Sequence, residues 1–248
     1  MADIKIAVIN ACKVLSNAEI RKAIPALQKQ ITRDFAPVWG VPADLVFVPK
    51  GRRRPRNHWW LVILDDSDDA SAVGYHDITD QGLPLGKVFA ATDQAAGSEW
   101  TATASHELLE MLADPAISLT VLDQTPFDLR RNVVGRLYSY EVCDPCQDDA
   151  DGYWIDGVFV SDFVYPAWFE PFRSRRTRFD HRRLIHRPFG LRPGGYMGVY
   201  DMTSGTGWQQ IDGPATARSR KHGARAPVGS RRERRRTPRS QWMKSAPV

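Results

Sequence analysis

The feature that most constrains this chain is a five-residue string, His106-Glu107-Leu108-Leu109-Glu110, set inside an apolar stretch of helical period. The spacing predicts a helix over residues 99–112. Asp114-Pro115 stops it, because proline has no N–H and clashes with the preceding turn. Leu108, Leu109, Met111 and Leu112 give that helix an apolar face to bury. Residues i and i+4 lie one turn apart on the same face, so His106 and Glu110 can reach one cation while Glu107 projects beside them. Burying an imidazole with two carboxylates is costly unless their charge is compensated, and a metal ion is the simplest compensation.

Other segments supply a frame for this helix. Residues 4–9 (IKIAVI) alternate and are β-branched, as a strand requires. Ser16-Asn17 offers an N-cap with Glu19 after it. Ile20, Ile24, Leu27, Ile31 and Phe35 then recur at helical spacing, so a long amphipathic helix is expected to run to about Phe35. Strands are expected at 45–48, at 58–64 (apolar enough to be buried on both faces) and at 85–91. A basic loop, 51–56, and an acidic turn, 65–69, separate them. The order β–α–β–β–β–α predicts an α/β (α+β) fold, a twisted mixed sheet with a long backing helix and the motif helix against it.

Beyond Pro115 the pattern changes to short strands and turns. Residues 137–142 and 153–160 suggest a hairpin-like pair about a turn at Asp151-Gly152. The expected organisation is a metal-binding domain over 1–172, an Arg-rich segment with a small β extension over 173–213, and a disordered basic tail over 214–248. Charge supports that division. Of the net +5, residues 173–248 hold 19 Lys and Arg against 4 Asp and Glu, whereas residues 1–172 hold 15 against 25.

The motif His106-Glu107-x-x-Glu110 resembles the His-Glu-x-x-His motif of zincin metallopeptidases, in a form similar to the gluzincin type. The order of strands and helices over about residues 3–170 resembles the zincin N-terminal subdomain. The resemblance implies a peptidase that hydrolyses peptide bonds, with His106 as a ligand of one zinc ion and Glu107 as the general base for a water on that ion. It also implies an edge strand before the motif helix that holds extended peptide or protein substrate by backbone pairing, a place residues 85–91 occupy. Glu110 stands where the family has a second His. A carboxylate still binds zinc, but one His and two carboxylates cancel a divalent charge, acidify its water less, and admit manganese or a structural ion.

The third ligand has to come from beyond the helix. Glu141, in an aromatic setting, is the first choice; Asp144 and Asp162 are the alternatives. Asp114, about 12 Å along the axis from His106, suits a supporting partner or a helix stop better than a ligand. Tyr138, Tyr140, Tyr153 and Tyr165 are candidates for the oxyanion-stabilising donor. Residues 162–169 are expected to wall the site. Cys143 and Cys146 make a lone Cys-x-x-Cys, favoured as a turn with two thiols because no second pair completes a zinc site. His58, His76, His181 and His186 lack ligand-spaced partners and are expected to be structural or at the surface.

Within the tail, residues 216–248 carry 11 Lys and Arg and one Glu. They suit contact with nucleic acid or another polyanion, or a solubilising role. A non-catalytic metal-binding scaffold tethered by this tail is therefore the alternative to a peptidase. No apolar run reaches the roughly 18 residues of a membrane span, and the start of the chain does not read as a signal peptide. No membrane association and a cytoplasmic location are expected, with virion association left open.

Overall fold

The computed structural model describes residues 4–67, 72–79, 81–123, 135–170, 174–202 and 207–215. The basic tail from residue 216, and Asp68 and Asp69 of the acidic turn, lie outside the described residues. The fold is mixed α/β. Strands β1 (Ile4–Asn10), β2 (Ala43–Val48), β3 (Trp59–Leu64), β4 (Gly74–Ile78) and β5 (Pro84–Phe89) form one sheet in the order β2-β1-β3-β5-β4. β1 is parallel to β2 and β3, and β3 is parallel to β5; β4 alone runs antiparallel.

Between β1 and β2 lies α1 (Asn17–Lys29), started by a capping box: the Glu19 amide donates to Ser16 Oγ (3.2 Å) and the Ser16 amide to the Glu19 carboxylate (2.7 Å). The helix does not stop at Phe35. It continues through a wider turn at Gln30–Phe35 into α2 (Ala36–Trp39). Pro37, which lacks an N–H, lies at that junction, and Gly40 ends the run at φ 71°, where glycine is favoured.

Two helices follow β5. α3 (Ala90–Ala96) ends at Gly97, and Thr103 Oγ1 donates to Asp93 Oδ1 (2.8 Å) to tie it to α4 (Trp100–Ala113), the motif helix. Leu108, Leu109 and Met111 are fully buried and α4 packs against β3, β4 and β5, so it is buried on nearly all sides. Removing one such side chain typically costs about 2–5 kcal/mol.

Three expectations require correction here. Residues 85–91 are not an edge strand: β5 lies between β3 and β4, every one of its residues is buried, and the edge on that side is β4. Second, 137–142 and 153–160 do not pair with one another. β8 (Tyr153–Ile155) and β9 (Val158–Val160) form a hairpin of their own about Asp156-Gly157, where both residues have positive φ. Third, residues 196–212 are not a separate unit. β10 (Tyr196–Asp201) pairs with β11 (Trp208–Asp212) and also with β7 (Arg136–Ser139), which pairs with β6 (Thr120–Asp123), in a sheet of order β11-β10-β7-β6. The 172/173 boundary therefore runs through the partners of one sheet.

Among the described residues, no helix is long and apolar enough to cross a membrane.

Candidate metal centre

α4 presents His106 and Glu110 on one face, and a 3-10 turn at Asp144–Cys146 approaches that face. His106 Nε2 stands 3.4 Å from Glu110 Oε2 and 3.3 Å from Asp144 Oδ1. These separations are long for a charge-assisted hydrogen bond, which runs about 2.7–2.9 Å. They match the edges of a tetrahedron whose centre binds each atom at about 2.0–2.1 Å. The donor atoms of His106, Glu110 and Asp144 all lie within 4.8 Å of one another, and the set of one imidazole and two carboxylates could hold a metal ion.

The turn also aims Glu110: the Cys143 amide donates to Glu110 Oε1 (3.2 Å), leaving Oε2 for the cluster. The hydroxyl of Tyr196, the first residue of β10, is near enough to Asp144 for each to shift the other's pKa. Burial and the neighbouring carboxylates push that hydroxyl's pKa well above its usual value. Burial would lower the His106 pKa, but the charge of Glu110 and the hydrogen bond of Asp144 lift it well above the usual imidazole value. Burial would raise Glu110, but His106 and His76 hold it well below the carboxylate range. Asp144 is pushed up to about 6, by burial first and by the charge of Glu110 second. The cluster demands positive charge, which protons on imidazole or a cation can supply.

Glu107 is 5% exposed, and its Oε2 has no hydrogen-bond donor. Two glycines let the sheet close on it. A Cβ on Gly74 would stand 2.8 Å from Glu107 Oε1, and one on Gly86 would stand 3.5 Å from Glu107 Cβ. An orphaned buried oxygen beside a donor set of ligand spacing fits a site built around a cation.

The structure distributes the other candidates as follows. Asp144, not Glu141, shares the cluster with His106 and Glu110. Glu141 is 8% exposed, and its Oε2 lies 3.8 Å from His76 Nε2. Asp162 is away from the cluster: its Oδ1 accepts from the amides of Phe163 (2.8 Å) and Arg182 (3.2 Å). Asp114 accepts from the amides of Ser118 (3.0 Å) and Leu119 (3.1 Å), as a helix stop does. Tyr138 stacks on Phe189, Tyr140 packs on Phe169, and Tyr165 packs on Phe163. Tyr153 donates to Asp34 (3.1 Å). Phe163, Trp168 and Phe169, expected to wall the site, are buried in the same core cluster as Leu108 and Leu109. Cys143 and Cys146 are buried, free thiols whose pKa burial pushes well up.

Two residues of the site were not singled out from the sequence. One is Tyr196. The other is His76 of β4, expected to be structural or at the surface; it is 1% exposed, with Nδ1 3.5 Å from Glu110 Oε2. No protein-family model, curated protein or solved structure matches the chain.

Proposed function

We propose that this protein is a metal-dependent peptidase of zincin-like fold, with zinc as the expected ion and manganese as the alternative. The observation that carries this reading is the donor set of His106, Glu110 and Asp144, with His106 Nε2 3.3–3.4 Å from both carboxylates and Glu107 buried beside it, lacking a donor at Oε2. A divalent ion held by those three residues supplies Lewis acidity, which polarises a carbonyl and lowers the pKa of a water.

The chain's own groups do the rest. Glu107 Oε2 accepts the proton of the attacking water and returns it to the departing amine, the work of a general base that then acts as acid. The Cys143 amide holds Glu110 in a ligating orientation, and the Tyr196 hydroxyl lies by Asp144. β4 is the edge of its sheet, so its outer backbone groups suit pairing with an extended peptide.

The test is Glu107→Gln, which keeps the shape of the side chain and removes its basicity. We expect hydrolysis of a peptide library to fall by about 10²–10⁴-fold, while the ion at His106, Glu110 and Asp144 is retained. Full activity in Glu107→Gln would refute the mechanism. Bound metal with no turnover on any peptide by the wild type would instead favour a non-catalytic metal-binding scaffold.

A further inference from the structure

Glu110 Oε2 faces two imidazoles, not one. It stands 3.4 Å from His106 Nε2 and 3.5 Å from His76 Nδ1. On the His76 side, Glu107 Oε2 lies 3.7 Å from the same Nδ1. Donor atoms of His76, Glu107 and Glu110 all fall within 4.8 Å of one another, and the three residues are 1%, 5% and 3% exposed. We propose that His76, Glu107 and Glu110 form a second cation site, for a divalent ion such as zinc or manganese, joined to the first through Glu110 Oε2. This rests on the reading of the first site and adds to it a means of regulation.

Three observations support the second site independently. First, Glu107 Oε2 is buried without a hydrogen-bond donor and points at His76 Nδ1. A buried carboxylate oxygen left without a donor loses its solvation with nothing in return, so an ion at that point removes a real cost. Second, the opposite nitrogen of the same ring, His76 Nε2, faces Glu141 Oε2 at 3.8 Å. Metal-ligating histidines commonly turn their other ring nitrogen toward a carboxylate, which sets the tautomer and the ring plane. Glu141 is thereby placed as the residue that orients His76. Third, Glu107, Glu110, Glu141 and Asp144 bring four carboxylates together, all under 9% exposed. One divalent ion compensates two of these negative charges, and a second compensates the remainder.

Ions held by two groups that share Glu110 would form a paired metal site, a common arrangement in hydrolases. The consequence concerns Glu107. With an ion on its Oε2 this oxygen cannot accept a proton, so the singly loaded protein has its base and the doubly loaded protein lacks it. Excess metal is therefore expected to inhibit hydrolysis, and His76→Ala to relieve that inhibition.

Metal stoichiometry tests the site without reference to turnover. The full chain is stripped with a chelator, titrated with zinc by calorimetry, and its metal content measured after dialysis. We expect two equivalents in the wild type and one in His76→Ala. Electron paramagnetic resonance of the manganese-loaded wild type, which needs no variant to fold, should show an exchange-coupled pair. One equivalent in the wild type, unchanged in His76→Ala, would overturn the second site and leave the first standing. One equivalent lost in both His76→Ala and His106→Ala would mean a single shared ion and would also overturn it. An uncoupled manganese signal at full loading would do the same. No bound ion at all would overturn both sites.

Discussion

Two groups of buried carboxylates lie in this molecule, and they meet different kinds of partner. Asp162 and Asp180 are both fully buried. Asp180 accepts from the amides of Leu184 (2.8 Å) and Ile185 (2.9 Å), and Asp162 from those of Phe163 and Arg182. These are bonds of 2.8–3.2 Å from backbone donors, reaching both oxygens of Asp180 but only Oδ1 of Asp162, and the Arg182 amide ties residues 180–185 to Asp162. The group around Glu110 faces imidazoles at 3.3–3.8 Å, with one backbone donor, the Cys143 amide, on Glu110 Oε1. Burial of acid is thus no mark of a site in itself. The kind of donor and its distance separate a structural clamp from a centre that takes a cation.

The largest effect that would sharpen this contrast comes from Glu110→Gln. The amide can still accept from Cys143, so the turn should survive, but the charge shared between His106 and His76 is gone. Metal affinity should fall by about 100-fold or more, read by competition with a chromophoric chelator. An unchanged affinity would put the two carboxylate groups in the same class.

Next in size is Gly74→Ala. The new Cβ would stand 2.5 Å from Thr103 Cγ2 as well as 2.8 Å from Glu107 Oε1, so β4 or Glu107 must shift. Overpacking of this kind costs about 1–3 kcal/mol, and Tm should fall by about 2–4 °C for each of them. Peptide hydrolysis should drop further than stability alone accounts for, because Glu107 is the displaced group. Loss of Tm with unaltered hydrolysis would show that Glu107 need not be where it is.

The smallest effect on metal binding is expected at the clamp. Burial first, and the adjacent Asp180 charge second, push Asp162 from 3.8 up to about 9. A carboxyl whose folded pKa is raised binds its proton more tightly when folded. Its contribution to stability is therefore greatest below the unfolded value and declines as pH rises between about 4 and 9. Asp162→Asn removes that decline. Relative to wild type, its Tm should be higher at pH 8 and little changed near pH 4, measured by calorimetry across that range. A lower Tm at pH 8 would mean that the charged form is the one the fold needs.

The sequence showed the frame of this fold more clearly than its closing pieces. β1, β2, β3, α1 and α4 each carry a periodic apolar pattern or a cap, and these local signals survive packing. β4 carries neither: Gly74, His76 and Asp77 are poor strand formers, and the segment is a strand because it pairs with β5. His76 was hidden with it, 30 positions from the motif. The unbroken burial of β5 leaves little trace, since Gly86 and Lys87 interrupt its apolar residues.

Glu141 and Asp144 show the limit most sharply. Both are buried, as the aromatic surroundings of Glu141 suggested. They are three residues apart across the turn that follows β7, and its geometry alone sends one toward His76 and the other toward His106. Nothing local in the residue types records that choice. Tyr196 is remote for a similar reason, reaching Asp144 because β10 pairs with β7.

The zinc dissociation constants of wild type, Asp144→Asn and Asp162→Asn, measured side by side by chelator competition, bear on the metal centre most directly. Loss of a ligand should weaken binding by at least about tenfold in Asp144→Asn, while Asp162→Asn binds as wild type does. Equal weakening in the two variants, or none in Asp144→Asn, would contradict the assignment of His106, Glu110 and Asp144 as the ligands.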